Sequence, residues 1–200
     1  MITFLSRKIA DFLFQRNVIS EEYVEICQYG YEVLFFNLFN ALIVLVLGII
    51  LDKLLCSIAF FVVFALLRQY CGGYHSKSTI VCTSVYIGIY LFVMFIATSR
   101  FLCEIYTFST HIMLGSALLI AVFLFAPVQN ANKPLEEPQK RKYKRIAVVL
   151  SIMIVGISII AYQINLQIAA VISLTLFAVM ILMVAGMYGG RRGERYEQGT

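Results

Sequence analysis

The 200-residue chain has no tryptophan, three prolines and only 11 acidic side chains, and charged residues make up 14% of it. Soluble domains usually carry about 25% charge on roughly 45–50% apolar residues. Here the apolar share is 61% and the mean hydropathy +0.87. A water-soluble fold of this length could not hide that much apolar surface, whereas a bilayer can. The five cysteines (Cys27, Cys56, Cys71, Cys82 and Cys103) are odd in number, irregularly spaced and partly inside apolar runs, which excludes an extracellular disulfide framework. Arg7 and Lys8 are followed by no long apolar h-region and no small-residue cleavage site, so the N-terminus is expected to be retained. Neither end carries a lipidation motif.

What is present is blocked into runs. Six candidate spans fall at roughly 33–51, 54–67, 79–98, 112–128, 146–162 and 168–188. The expected fold class is therefore all-α: a polytopic membrane bundle of six transmembrane helices with an N-terminal amphipathic surface helix. In that first helix Ile2, Leu5, Ile9, Phe12 and Leu13 recur at helical spacing opposite Ser6, Lys8, Asp11 and Gln15. Ser20 is placed to cap the helix that follows. As one integral membrane domain, the chain divides into an N-terminal region over 1–32, a membrane region over 33–188 and a tail over 189–200.

Charge tests the layout. With a cytoplasmic N-terminus, the cytoplasmic segments hold Arg7, Lys8, Arg16, Arg68, Lys77, Lys133, Lys140, Arg141, Lys142, Lys144, Arg145, Arg191, Arg192 and Arg195, leaving Lys53 and Arg100 outside. Fourteen of the 16 basic residues fall on one side, as the positive-inside rule requires. Both termini are then cytoplasmic in the plasma membrane. The net charge of +5 thus reads as topology and membrane-lipid contact, with no nucleic-acid motif beside it. The one long hydrophilic connection, PVQNANKPLEEPQKRKYKR over 127–145, reads as a solvated loop or as a docking surface for an acidic partner.

The second span is short. Between Lys53 and Arg68 lie 14 residues, which reach about 21 Å as a helix against a hydrocarbon core of about 30 Å. Either the bilayer thins there or RQYCGGYHSKS begins below headgroup level, where irregular backbone is tolerated only in a covered or wet cavity. Gly72 and Gly73 break the helix, and Ser76 or Ser78 can cap the next one. His75 would sit in the loop, with Cys82 in the first turns of the third span.

A thiol at a helix N-terminus near an imidazolium ionises readily, and Arg68 and Lys77 add positive potential. Cys82 as nucleophile and His75 as general acid and base would suit acyl transfer. The plain reading of each alone is a small buried hydrophobe and a hydrogen-bonded loop histidine. A metal site from Cys71, His75 and Cys82 lacks a fourth ligand and a common spacing, so neither metal nor cofactor is expected. Asn37 and Asn40, on one face of the first span, and Gln69 are candidates for orienting His75, and Asn37 and Asn40 serve equally as interhelical hydrogen-bonding groups. Tyr29, Gly30, Glu32 and His111 read as structural. Two rival functions stay open: a small transporter or channel with a re-entrant loop at 68–78, and a non-enzymatic scaffold. Against transport, the spans as drawn contain no Asp, Glu, Lys or Arg, the usual marks of an ion path, and no inverted repeat.

LLRQYCGGYHSKSTIVC resembles the reactive segment of the accessory gene regulator protein B (AgrB) family, membrane cysteine endopeptidases of peptide quorum sensing. In that pattern a basic residue precedes a Gly-Gly-aromatic-His run, and a cysteine follows the histidine by seven. EICQYGYEVLFFNLFN and APVQNANKPLEEPQKRK agree, so the resemblance runs over roughly 25–145. Where the family often carries an acid this chain has Gln129, so no acidic role in that loop carries over. The resemblance implies Cys82 as nucleophile, His75 as general acid/base, and Arg68 and Gly73 as supporting residues, with Ser76 beside them. It further implies an AgrD-like propeptide, cleaved near its C-terminus through an acyl-enzyme thioester and closed into a thiolactone or lactone ring, and a homodimer. Gly186 and Gly190 form a GxxxG at the membrane edge.

Overall fold

A computed structural model describes residues 2–73, 79–99, 106–128 and 137–197. Among them are seven helices and no strand: α1 (Ile2–Gln15), α2 (Val24–Ile50), α3 (Leu54–Cys71), α4 (Thr79–Thr98), α5 (Phe108–Phe125), α6 (Glu137–Ile164) and α7 (Leu166–Glu197). α2 to α7 are each long and apolar enough to cross a membrane, which makes this a multi-pass membrane protein. Their exposed faces are rows of Leu, Ile, Val and Phe, as a surface meeting hydrocarbon must be.

By compactness the chain divides into Met1–Leu47 and Gly48–Thr200. In the first unit, α1 exposes Phe4, Leu5, Phe12 and Phe14, while Lys8 lies over the Phe4 ring at 4.7 Å and Arg16 over Phe12 at 5.3 Å. The long cationic stems thus cover their aromatic neighbours. Ser6, expected on the polar face, is fully buried with Ala10 one turn on. Small side chains four apart define the buried stripe of α1, which a hydrophobicity pattern does not reveal. Ser20 does have extended N-cap backbone, but before a single 3-10 turn (Glu21–Tyr23) and with no capping bond from its hydroxyl. The helix beyond begins at Val24, nine residues ahead of the expected span.

In the second unit α7 is the hub, packed against α3, α4, α5 and α6. In its apolar window 56% of the residues are buried against 28% in α5, which marks α7 as the core helix. Ala169, Ala170, Ser173 and Thr175 are all fully buried on it, and such small residues let neighbouring backbones approach closely. Thr175 returns its hydroxyl to the Val171 carbonyl at 2.6 Å.

Two expected boundaries move. α3 does not stop before Arg68 but continues through it to Cys71, reaching about 27 Å over its 18 residues. The second span is therefore close to ordinary membrane thickness, and Arg68 belongs to it. The absence of charge from the spans, weighed above against transport, does not hold. α6 likewise begins at Glu137, so Lys140 to Arg145 lie on helix and not in an irregular loop. Lys and Arg are good helix formers, and the Lys140–Glu137 pair at 2.7 Å supports that first turn.

The end of the unit where α5 begins is closed by a polar cluster. Thr107 caps α5, accepting from the Thr110 amide at 3.3 Å. His111, buried in the first turn, meets the Tyr106 hydroxyl (2.6 Å) and the Ser173 hydroxyl (2.8 Å) through Nδ1, and the Ser158 hydroxyl (3.3 Å) through Nε2. Tyr106 also donates to the Ala169 carbonyl at 3.2 Å. Burial pushes the Tyr106 phenol up to about 12, against the pull of its bond with Ser173, so it keeps its proton at ordinary pH. The cluster ties α5, α6 and α7 together, and the structural reading of His111 fits it.

Candidate functional site

At the other end of α3 the chain must leave the helix sharply, and it does so on two glycines. Gly72 has φ 72° and ψ −151°, a conformation open essentially only to glycine, and Gly73 has φ 126°. Space is as restrictive as torsion. A methyl group on Gly72 would run into the Val128 carbonyl oxygen; one on Gly73 would meet the Arg68 guanidinium and stand 3.0 Å from the Leu182 carbonyl oxygen in α7.

The carbonyls left over at the end of α3 find partners from elsewhere. The Val128 amide, just past α5, donates to the Cys71 carbonyl at 2.9 Å, and Gly72 and Val128 form an isolated parallel bridge. Arg68 turns its Nη1 onto the Gly72 carbonyl at 2.6 Å, a charge-assisted bond across one turn. A cation in the last turn also complements the helix dipole. Ala126 and Val128 are both buried, so residues 126–128 form a strap across the Gly-Gly turn. Sequence reasoning did not find this strap, because a single bridge between segments more than 50 residues apart leaves no periodicity.

α4 starts at Thr79, which seats Cys82 in its first turn, where the expectation put it. Four contacts fix how α4 lies against α3. The Tyr90 hydroxyl bonds Ser57 Oγ at 2.8 Å, and the ring centroids of Phe60 and Tyr90, Phe60 and Tyr86, and Phe64 and Tyr86 are 5.2, 5.6 and 5.0 Å apart. Each turn forward along α3 is matched by a turn back along α4, an antiparallel register in which the next step pairs Arg68 with Cys82. The charges agree: Arg68 interacts electrostatically with Cys82, and with Cys71 on its own helix. Cys82 is half-buried and a free thiol, while Cys71 is fully buried.

The structure thus brings Arg68, Gly73 and Cys82 to one end of the Gly48–Thr200 unit. His75 and Ser76 lie outside the described residues, as do Gln129 and Cys103. Gln69 is exposed on α3. Asn37 and Asn40 belong to the other unit, Asn37 exposed and Asn40 buried with its Oδ1 unpartnered among the described residues.

Residues 6–184 match the family model for accessory gene regulator B. The chain belongs to that family. A protein of Clostridium perfringens strain 13 named as AgrB-like is 33% identical over 146 residues, 71% of this chain and 68% of that protein. One from C. perfringens strain SM101 is 32% identical over the same shares. One from Listeria innocua is 26% identical over 162 residues, 78% of this chain and 76% of its own. No solved structure matches. Family membership assigns the chain to the accessory gene regulator system of quorum sensing, and the six long apolar helices put that role in a membrane.

Proposed function

We propose that this AgrB family member is a membrane cysteine endopeptidase that cleaves an AgrD-type propeptide near its C-terminus and passes the acyl group on to close a thiolactone or lactone ring. Cys82 is the nucleophile and His75 its acid/base partner, with Arg68 and Gly73 as supports. The observation that carries the reading is the seat of Cys82: a half-buried free thiol in the first turn of α4, in register with the Arg68 guanidinium beside a glycine turn.

Partial burial costs a thiolate solvation, while a nearby guanidinium and the positive end of a helix stabilise it. The thiolate attacks the scissile carbonyl. His75, holding the thiol's proton, delivers it to the departing amine, and a thioester remains on Cys82. Exchange of that thioester for one inside the peptide is nearly isoenergetic, so bond energy survives into the ring provided water is excluded. Thirteen of the 16 basic residues in the segments on one side, with Arg68 in the last turn of α3, support cytoplasmic termini and a site on the cytoplasmic face. A homodimer in the plasma membrane completes the proposal.

The test is coexpression of a tagged candidate propeptide with wild type, Cys82→Ala and His75→Ala. Cleavage by wild type and by neither variant supports the reading, with losses expected at about 10⁴-fold or more for the nucleophile. Unchanged processing in both variants overturns it, and a transporter or scaffold leaves the peptide uncut throughout.

A further inference from the structure

Five cations stand within six residues on α6: Lys140, Arg141, Lys142, Lys144 and Arg145. The preference for basic residues on one side of a membrane accounts for their number, and not for how they are placed. Two of them are used by the protein itself. Lys140 pairs with Glu137 at 2.7 Å, and Lys144 lies over the Phe123 ring of α5 at 5.4 Å. Tyr143 packs on Tyr70 of α3, their ring centroids 5.7 Å apart. Tyr143, Lys144 and the fully buried Ala147 thus mark the side of α6 that faces the bundle, and Ser151, Ile154 and Ser158 continue it.

Arg141, Lys142 and Arg145 are exposed on the opposite side, and no carboxylate among the described residues forms an ion pair with them. Glu137 acts on Arg141 at longer range only, its carboxylate being held by Lys140. With Glu137, Pro138 and Ile146 the three cations line an open hollow of about 630 Å³, a volume ordinary for ligand sites. Arg141 and Arg145 are one turn apart, a spacing at which like charges repel unless an anion lies between them. The helix sets the depth of the hollow. Residues 146–164 rise about 28 Å, close to the thickness of the hydrocarbon core, so Arg145 stands at its edge. Arg141, about 6 Å further out, stands in the headgroup layer. Below Arg145 the same face continues as Val149, Ile152 and Met153, all exposed.

We propose that Arg141, Lys142 and Arg145 bind the phosphate of an anionic membrane phospholipid, whose acyl chains lie on the Val149, Ile152 and Met153 face beneath. An arginine guanidinium is a planar fork that donates to two phosphate oxygens at once, and the lysine ammonium adds a point charge. Basic clusters at the end of a transmembrane helix hold anionic headgroups in this way. The apolar row selects a lipid over a soluble phosphate or an acidic peptide. The ligand it suits carries negative charge at headgroup level and hydrocarbon directly below. A zwitterionic lipid has the same phosphate but brings a cation of its own, which three basic side chains repel, so the site discriminates by net charge. The inference is independent of the role of Cys82.

The chain has no tryptophan, so an indole introduced by Val149→Trp reports on that position alone. The full chain with this substitution is reconstituted in phosphatidylcholine vesicles. Its emission is then quenched by a rising share of dibrominated phosphatidylglycerol or, in parallel, dibrominated phosphatidylcholine. The anionic lipid should associate at least about 5-fold more strongly. Adding Arg141→Gln and Arg145→Gln should bring the ratio down to about 1–2. Lys140→Gln with Lys144→Gln removes the same charge from the same turns, off the hollow, and should leave the ratio near its parent value. Ile160→Trp, about 16 Å further along the helix, gives the ratio for bulk lipid, expected near 1. Should the arginine pair fail to insert, Arg145→Gln alone is read instead, with the ratio expected to fall at least about 2-fold. A parent ratio near 1 overturns the site, and so does an equal fall in the two double variants, which would leave net surface charge alone. Loss of the preference on adding hexaglutamate, but not sodium chloride of equal ionic strength, would give the hollow to an acidic peptide. The same loss with inorganic phosphate would give it to a soluble anion, and either result overturns the lipid.

Discussion

The two ends of the Gly48–Thr200 unit carry similar chemistry in opposite states. One end holds a histidine, two serines and a tyrosine within hydrogen-bonding distance of each other, a set that resembles catalytic machinery in a list of residues. Yet His111 has both ring nitrogens engaged, and Tyr106 bonds at once to His111 and the Ala169 carbonyl. Every polar group there is spent on joining helices. The other end has a half-buried free thiol and a turn held in conformations that only glycine accepts. A buried polar network that is saturated is architecture; one with capacity left over is where a ligand is served.

The largest expected effect is at the glycine turn. Gly72→Ala and Gly73→Ala each force a Cβ into backbone oxygen or the Arg68 guanidinium, on torsions that cost about 1–3 kcal/mol for a residue with a side chain. Propeptide cleavage should drop by at least about 100-fold in each, because an ångström of displacement near the chemistry is enough for that. Gly88→Ala and Gly156→Ala provide the contrast. Both sites are helical and a methyl there meets nothing within 4 Å. They should hold full activity and gain up to about 1 kcal/mol in detergent unfolding. Equal behaviour of all four variants would remove the turn from the site.

An intermediate effect is expected from Arg68→Lys. The ammonium keeps the charge that acts on Cys82 but not the planar fork that reaches the Gly72 carbonyl. A hydrogen bond to a charged group contributes about 1.5–3 kcal/mol, less where water reaches it, as at half-buried Arg68. Cleavage should fall about 10-fold, with Cys82 alkylation less affected. Full activity in Arg68→Lys would show that charge alone matters and that the brace on the turn does not.

Much of this architecture was legible in the chain. Hydrophobic runs found six spans, and the serine-rich break before Thr79 placed the start of α4 and the first-turn seat of Cys82. Where the reading failed, packing or helix propensity had overruled polarity. Arg68, Gln69 and Tyr70 look like the end of a span, but α3 continues through them, with the Tyr70 ring tilted against Tyr143 of α6 and Arg68 bonded to its own helix end. Lys140 to Arg145 look like a solvated loop by charge and are helical by propensity. Ser6 looks polar and is fully buried, one turn from Ala10.

The smallest effect should come from the saturated end. Ser158→Ala removes a 3.3 Å bond to His111 Nε2 and a 2.7 Å bond to the Val155 carbonyl on the same helix. Buried interhelical bonds of this kind contribute about 0.5–1.5 kcal/mol, and His111 keeps Tyr106 and Ser173 on its other nitrogen. Detergent unfolding should therefore shift by no more than that, with propeptide cleavage and Cys82 alkylation at wild-type rates. If Ser158→Ala instead lowers cleavage as strongly as Arg68→Lys, the two ends are coupled through α6 and α7, and His111 must be counted with the chemistry after all.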